Sequence, residues 1–444
     1  MPSPKRASRK RFRVGRVSLY LHHGAWWLYY RDGGQPIRRR VAQTPQQAEQ
    51  VAAQVNAQLV QSAPTLLAFT PIGLPQLRQE FFNYHEYVLR SSLATIRRYR
   101  AATQHLENFA RSQAQPPLAH EVRAEAFTRY LRSLEVTPNG HPHTARRRLR
   151  DRGIQFILET CRALYSYAAR RHHLPPYAGN PFAVVPVEKL KIEDAKPIFV
   201  FDAQTEVAFF HAADGWAFAV HFVLSKTGLR VGELTHLLVE DVDWDGAWLH
   251  VRNKSALGWR IKTGSDRDIP LLPEVLTVLR WAVGERKAGP VFLRKRFTGG
   301  ILPPLTGDRV ALERTCAERQ RAAGPGLSRT DLLRIAATVW RDAGAVKAEA
   351  IRSAFVRIMR TIGHPEATCP KSWRHTFATL LQAGGVDPLI RQLVLGHKPT
   401  TDSGLGMTTV YTHPWPWVQR QQVEQALRQW PQSLALAAKG VPGA

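Results

Sequence analysis

The chain has 444 residues, enough for two or three domains. Its 62 Lys and Arg against 35 Asp and Glu leave a formal net charge of +27. That excludes an ordinary metabolic enzyme with a mixed surface and points to a polyanionic partner, nucleic acid before an anionic membrane. The longest uncharged apolar stretch, GWAFAVHFVLS at 215–225, is too short for a bilayer span of about 20 residues, so no membrane segment is expected. The N-terminus has charge but no apolar core behind it, unlike a secretory signal. Cys161, Cys316 and Cys369 form no CxxC pair. This predicts neither a disulfide framework nor a cysteine-based zinc site, and it fits a reducing, cytoplasmic setting.

Residues 1–16 carry seven Lys or Arg with Ser and Pro and read as a basic, flexible tail. VSLYLHH, AWWLYYR and QPIRRRVA then read as three short strands separated by His23-Gly24 and Gly33-Gly34. Strand alternation puts Trp26 and Tyr30 on one face or the other of a pairing pattern with Trp27 and Tyr29, so core and pairing roles are expected for them before base contacts. TPQQAEQVAAQVNAQLV reads as a helix, with Thr44 as N-cap and Pro45 at its first position. Together these make a small domain over 17–68.

Between 72 and 185 the pattern turns helical. FFNYHEYVLR, TIRRYRAATQHLENFARSQ, EAFTRYLRSL and GIQFILETCRALYSYAARR are amphipathic segments joined by Pro- and Gly-rich loops. Arg97, Arg98 and Arg100, then Arg146, Arg147, Arg148 and Arg150, form runs of one sign, which suits phosphate contact better than mere solvation. The stretch 180–198 reads as a linker. From 199 to 430 helices mix with a strand cluster. WLHVRN, WRIKTG and DRDIPL predict a small antiparallel sheet turning at Thr263-Gly264. Residues 296–345, rich in Gly, Pro and charge, read as an insertion, most simply a surface loop elaboration, with the shaping of DNA contacts or of an oligomer interface as the alternative.

Four stretches and a tyrosine belong together. In TGLRVGELTHL, Arg230 follows a Gly228 turn, and Glu233 shares its helix face. In WRIKTGSDRDIPL, Lys262 stands beside the hairpin turn, with Lys254, Arg260 and Arg267 as nearby alternatives. In KSWRHTFATLLQAGG, a helix begins near Arg374, three residues after Lys371. In VDPLIRQLVLGH, Asp387 and Pro388 start a helix, Gly396 stops it and His397 projects past its end. Tyr411 follows in TTVYTH. Alone, each stretch would be an ion pair, a surface residue or a helix end.

In order and spacing, TGLRxxEL, the hairpin lysine, RHTFAT, LGH and YTH resemble the tyrosine recombinase (phage-type integrase) family. The resemblance implies a multidomain chain, mainly α with small antiparallel β-sheets. It would comprise an N-terminal β-sheet-plus-helix arm-type DNA-binding domain, a helical, SAM-like core-binding domain and an α+β catalytic domain. It also implies site-specific DNA recombination through a 3′-phosphotyrosine, with no metal, cofactor or ATP. The partners would be double-stranded DNA, further copies of the chain in a homotetramer on paired sites, and accessory DNA-bending proteins. In that scheme Tyr411 is the nucleophile, Arg230 and Arg374 grip the non-bridging oxygens, Lys262 is the general acid, His397 donates to the phosphate and Glu233 orients Arg230.

Lys371 departs from the family, which usually has His there; type IB topoisomerases resemble this chain in carrying Lys at that spacing. It reads as a cation beside the phosphate rather than as a general base. His375 and Thr376 read as helix-stabilising. Val418 to Trp430 is expected either to dock on a neighbouring subunit or to pack back on its own domain. Two competing readings remain: a type IB topoisomerase-like enzyme, and a recombinase-derived DNA-binding protein without catalysis.

Overall fold

The computed structural model describes residues 11–32, 35–61, 69–137, 144–175, 179–195, 197–298, 300–397 and 414–442. It divides into two units between Lys196 and Pro197.

The chain first forms an antiparallel meander of four strands: β1 (Arg11–Val14), β2 (Val17–His22), β3 (Ala25–Asp32) and β4 (Gln35–Ala42). The sequence reading expected three. The additional edge strand, β1, lies inside the stretch read as tail, where alternating arginines hide its period and keep an open edge charged. His23 and Gly24 both take positive φ, 47° and 72°, the requirement of a two-residue hairpin turn. Val17 and Leu19 of β2 and Trp26, Leu28 and Tyr30 of β3 face inward. They meet Ala48, Ala52, Val55 and Leu59, one stripe of helix α1 (Pro45–Val60), which Thr44 caps through Gln47 N–H. Trp27 and Tyr29 fall on the other face and stay half-buried.

Four amphipathic helices follow in the same unit. Helix α2 (Leu74–Asn83) runs on into a π-helical turn, Tyr84–Val88, and α3 (Leu93–Arg111) starts at a Ser92 cap. With α4 (Ala124–Ser133) and α5 (Asp151–Arg170) they bury Phe81, Leu106, Phe127, Leu158 and Tyr165. A short ladder pairs β5 (Glu135–Val136) with β6 (Arg147–Arg148). Arg78 is buried here because Glu107, Thr103 Oγ1 and Gln104 share its guanidinium. The stretch read as a linker is mostly part of this core. Phe182, Val185 and Val187 are buried in it, and Arg162 Nη2 donates to Val185 O at 2.6 Å.

The C-terminal unit is built around α7 (Gly215–Thr227), preceded by α6 (Ala203–His211). Every residue of α7 after Gly215 is buried, most of them apolar, with His221 and Lys226 held by hydrogen-bond partners. After it come the short α8 (Val231–Leu234) and strands β7 (Val242–Asp243), β8 (Trp248–Val251) and β9 (Arg267–Pro270), an antiparallel sheet in sequence order. WRIKTG is not a strand, contrary to expectation. Residues 252–266 make a long excursion between β8 and β9, with only a Lys254–Trp259 bridge in it.

Helix α9 (Pro273–Val283) is followed by the 296–345 stretch, which is not a loop elaboration. It folds as α10 (Arg309–Ala322) and α11 (Arg329–Asp342), capped by Asp308 and Ser328. Their contact faces bury Leu312, Cys316, Ala336, Val339 and Trp340 with Leu238 and Leu257.

Next come α12 (Ala348–Thr361), α13 (Lys371–Ala383) and α14 (Pro388–Leu395). Trp373 pins α13 to the core, stacked on Phe201 at 3.7 Å and donating to His221 Nδ1 at 3.2 Å. Truncating such a side chain costs about 3–5 kcal/mol. Val418–Trp430 falls in α15 (Pro416–Leu427) and its end, and packs back on its own unit through Val423, Ala426 and Leu427. The chain then adds α16 (Pro431–Ala438), beyond the expected boundary at 430. Buried Lys226 fastens it, paired with Glu206 at 2.7 Å and donating to Ser433 Oγ at 2.8 Å.

Candidate active site

The site begins where α7 stops. Gly228 ends the helix at φ 61°, and a Cβ there would lie 2.3 Å from Phe377 Cδ1. Only glycine serves both needs. The turn sends Leu229 into the core and leaves Arg230 at the N-cap of α8. Glu233, one turn on, reaches back. Its carboxylate accepts from Arg230 N at 2.9 Å and from Arg230 Nη1 at 2.8 Å.

The same carboxylate is held from the other side by Arg267, on β9. Nη2 donates at 2.6 Å and Nη1 at 3.1 Å, while Nε donates to Val394 O at 2.8 Å. Burial raises the Glu233 pKa, but the hydrogen bonds and charge of Arg267, then the hydrogen bonds from Arg230, outweigh it. The carboxyl therefore ionises below its ordinary value. In the sequence Arg267 stands only as an alternative to Lys262. Its signal was present: it shares the inward phase of β9 with Ile269.

Arg374, in the first turn of α13, is buried too. Nη1 donates to Gly228 O at 2.7 Å, and Nη2 donates to Leu395 O and, at 3.2 Å, to His397 Nε2. Burial, followed by the charge of Arg230, lowers its pKa to about 10, so it stays cationic at neutral pH. His397 follows Gly396, which closes α14 at φ 63°. Since Nε2 accepts from Arg374, the neutral ring carries its proton on Nδ1. Burial and the cations of Arg374, Arg230 and Arg267, in that order, hold it below the usual histidine value.

The structure thus brings together Arg230, Glu233, Arg374 and His397, adds Arg267, and grips one carboxylate between two guanidiniums. Their openness differs. The Arg230 side chain is 22% exposed, that of Arg267 only 5%. Arg230 stays partly open to solvent, whereas Arg267 is enclosed among its partners.

Lys262 and Lys371 lie outside this hydrogen-bonded cluster. Lys262 is exposed on the turn that Gly264 N–H closes on Ile261 O. Of its alternatives, Lys254 is buried against Asp241 at 2.7 Å and Arg267 is committed to Glu233. Arg260 is exposed and bonds Ser255 Oγ at 3.2 Å. Lys371 is exposed at the first position of α13. His375 is half-buried one turn on, and Thr376 Oγ1 accepts from Phe201 N at 2.9 Å. Tyr411 lies outside the described residues, as does all of 398–413.

In the N-terminal unit Arg97, Arg98 and Arg100 are exposed on α3, where Arg98 covers the Phe156 ring at 4.1 Å and Arg100 the Phe82 ring at 4.8 Å. Arg146, Arg147, Arg148 and Arg150 are exposed around β6 and the start of α5.

Residues 202–416 match the model of the phage integrase family. Tyrosine recombinase XerA of Pyrococcus furiosus is 29% identical over 204 residues, 46% of this chain. The C-terminal unit carries a phage integrase family domain. The match spans about half, 52%, of that curated relative. Among solved structures, a Tn1549 transposon integrase in complex with transposon right end DNA has a TM-score of 0.50 at 18% identity, covering 80% of this chain and all of that one. That likeness shows the integrase fold, helical with small antiparallel sheets. A lambda integrase dimer bound to a core site aligns with 91% of this chain and 98% of that one, at 14% identity and a TM-score of 0.43. Among the described residues, no helix is long and apolar enough to cross a membrane.

Proposed function

We propose that the chain is a site-specific DNA recombinase that cuts and rejoins strands through a 3′-phosphotyrosine. The observation that carries this reading is the Arg230–Glu233–Arg374–His397 cluster, cationic and fixed by backbone carbonyls, inside a family domain.

The phenolic oxygen of Tyr411 attacks the phosphorus, giving up its proton to solvent. The bond from phosphorus to the 5′ oxygen breaks as Lys262 transfers an ammonium proton to that oxygen. Charge gathers on the non-bridging oxygens, where Arg230 and Arg374 stabilise it. Donors already held in place need no reorganisation, so removing one costs about 10²–10³ in rate. His397 donates to the same oxygens through Nδ1–H, and Lys371 adds a cation from the first turn of α13. The phosphotyrosine conserves the bond, so a new 5′ hydroxyl can reclaim the phosphate without ATP.

The N-terminal sheet domain serves as an arm-type DNA-binding domain and the helical domain as the core-binding domain, with its exposed arginines on phosphates. The partner is double-stranded DNA within the cell interior. Exchange between two duplexes requires a tyrosine for each strand, hence a tetramer; accessory DNA-bending proteins would assist it.

The test is covalent capture. Incubation with a random-sequence pool of nicked duplexes should yield a denaturation-resistant protein–DNA adduct with the wild type. Tyr411→Phe should yield none while retaining its gel shift. An adduct that persists in Tyr411→Phe, or no adduct with the wild type, contradicts the reading.

A further inference from the structure

The excursion between β8 and β9 carries Lys262 at an exposed tip, and an exposed loop lysine is a poor general acid unless its loop is held. Two anchors hold this one. Near the tip, Ile261 is buried, its N–H donates to Asn253 Oδ1 at 2.9 Å, and Asn253 Nδ2 reaches Asp266 Oδ1 at 2.8 Å. The other anchor comes from α10 and α11, within the 296–345 stretch.

Leu257, at the crest of a short 3₁₀ turn in the excursion, is 1% exposed in the core of α10 and α11. Trp340 of α11 donates its indole N–H to Leu257 O at 3.0 Å. The next residue, Gly258, has φ 69°, and a Cβ on it would lie 2.9 Å from both Ala336 Cβ and Leu333 Cδ2. The turn is therefore seated directly on α11. The Trp340 ring also meets His236 edge-on at 4.8 Å, and His236 stacks on Trp259 at 5.1 Å. His236 in turn donates from Nδ1 to Gly232 O at 2.8 Å, within the helix that follows Arg230. One indole thus ties together the loop of Lys262 and the segment of Arg230.

We propose that Trp340 is a positioning residue for Lys262, and that the α10–α11 pair acts as a clamp setting the lysine loop for proton delivery. This rests on the assignment of Lys262 as the general acid. Trp340 touches no reacting atom; it acts through Leu257 and, by way of His236, through Trp259.

The test compares two leaving groups in the full chain. The duplex recovered by covalent capture is made with either oxygen or sulfur at the bridging 5′ position. A 5′ thiolate leaves without a proton, so the sulfur substrate bypasses the acid. Lys262→Ala should slow cleavage about 100-fold or more on oxygen and recover on sulfur. Trp340→Phe keeps the ring but removes the bond to Leu257 O. It should slow cleavage roughly tenfold on oxygen, match wild type on sulfur, and speed amide hydrogen exchange in 254–266.

Equal slowing of Trp340→Phe on both substrates would mark a merely structural role and overturn the proposal. So would unchanged rates on both, or unchanged exchange. If Lys262→Ala itself fails to recover on sulfur, the general-acid assignment falls and takes the clamp's purpose with it. If only Trp340→Phe fails to recover, the clamp alone is refuted.

Discussion

Arg267 grips both oxygens of Glu233, at 2.6 and 3.1 Å, and so holds the carboxylate that in turn holds Arg230. Arg267 and Arg230 share an anion but not a role. Arg267→Met leaves a buried charge half-compensated and should cost about 3–5 kcal/mol in urea unfolding at pH 7. Arg230→Met removes a more open partner and should cost under about 1 kcal/mol while abolishing cleavage. Equal losses of stability would contradict this division.

Arg374 bonds two backbone carbonyls and His397 with two nitrogens of one planar group. An ammonium cannot span them. Arg374→Lys should therefore slow single-turnover cleavage by about 10²–10³ with DNA affinity, read by gel shift, little changed. A parallel loss in both would place Arg374 in binding rather than catalysis.

Lys371 stands one helical turn before His375, whose pKa is held down by burial, then by Lys371 and Arg374. Lys371→Ala should slow cleavage roughly tenfold, equivalent to about 1.4 kcal/mol of transition-state stabilisation. It should also raise the His375 pKa, read by NMR titration. Lys371→His should be the mildest replacement. Unchanged cleavage in Lys371→Ala would remove Lys371 from the site.

Buried His221 and half-buried His236 set an acid limit on stability. Burial lowers His221 to about 3 and His236 to about 4. The unfolded chain protonates both near 6.5, whereas the folded chain keeps them neutral well below that. Their contribution is fully present above about pH 6.5. It is lost as pH falls toward 4, at up to about 1.4 kcal/mol per pH unit for each. His221→Phe keeps the aromatic packing against Phe209 and Phe355 and should flatten the fall of the urea midpoint between pH 6.5 and 4. An unchanged slope would mean that His221 does not titrate in this way.

Much of the site was legible because its turns are. Gly228 and Gly396 mark the helix ends that carry Arg230 and His397, and Arg374 opens an amphipathic run. Arg267 was harder to read. Its inward phase on β9 was visible, but nothing local says that a carboxylate 34 residues earlier awaits it. Helices α10 and α11 were missed for another reason. Their outer faces carry so many charges that the apolar stripe, Leu312 and Cys316 against Ala336 and Trp340, drops below notice, although Asp308 and Ser328 announced both starts. The first strand was hidden likewise, by the arginines that protect its edge. In each case the missing information was the partner surface, which lies far off in sequence.

The central claim is that Tyr411 forms the covalent bond to DNA. The direct measurement is mass spectrometry of the captured adduct after nuclease and protease digestion. The account predicts a single modified peptide, with a 3′-linked nucleotide on Tyr411. A nucleotide on any other residue, or one linked through a 5′ phosphate, would contradict it.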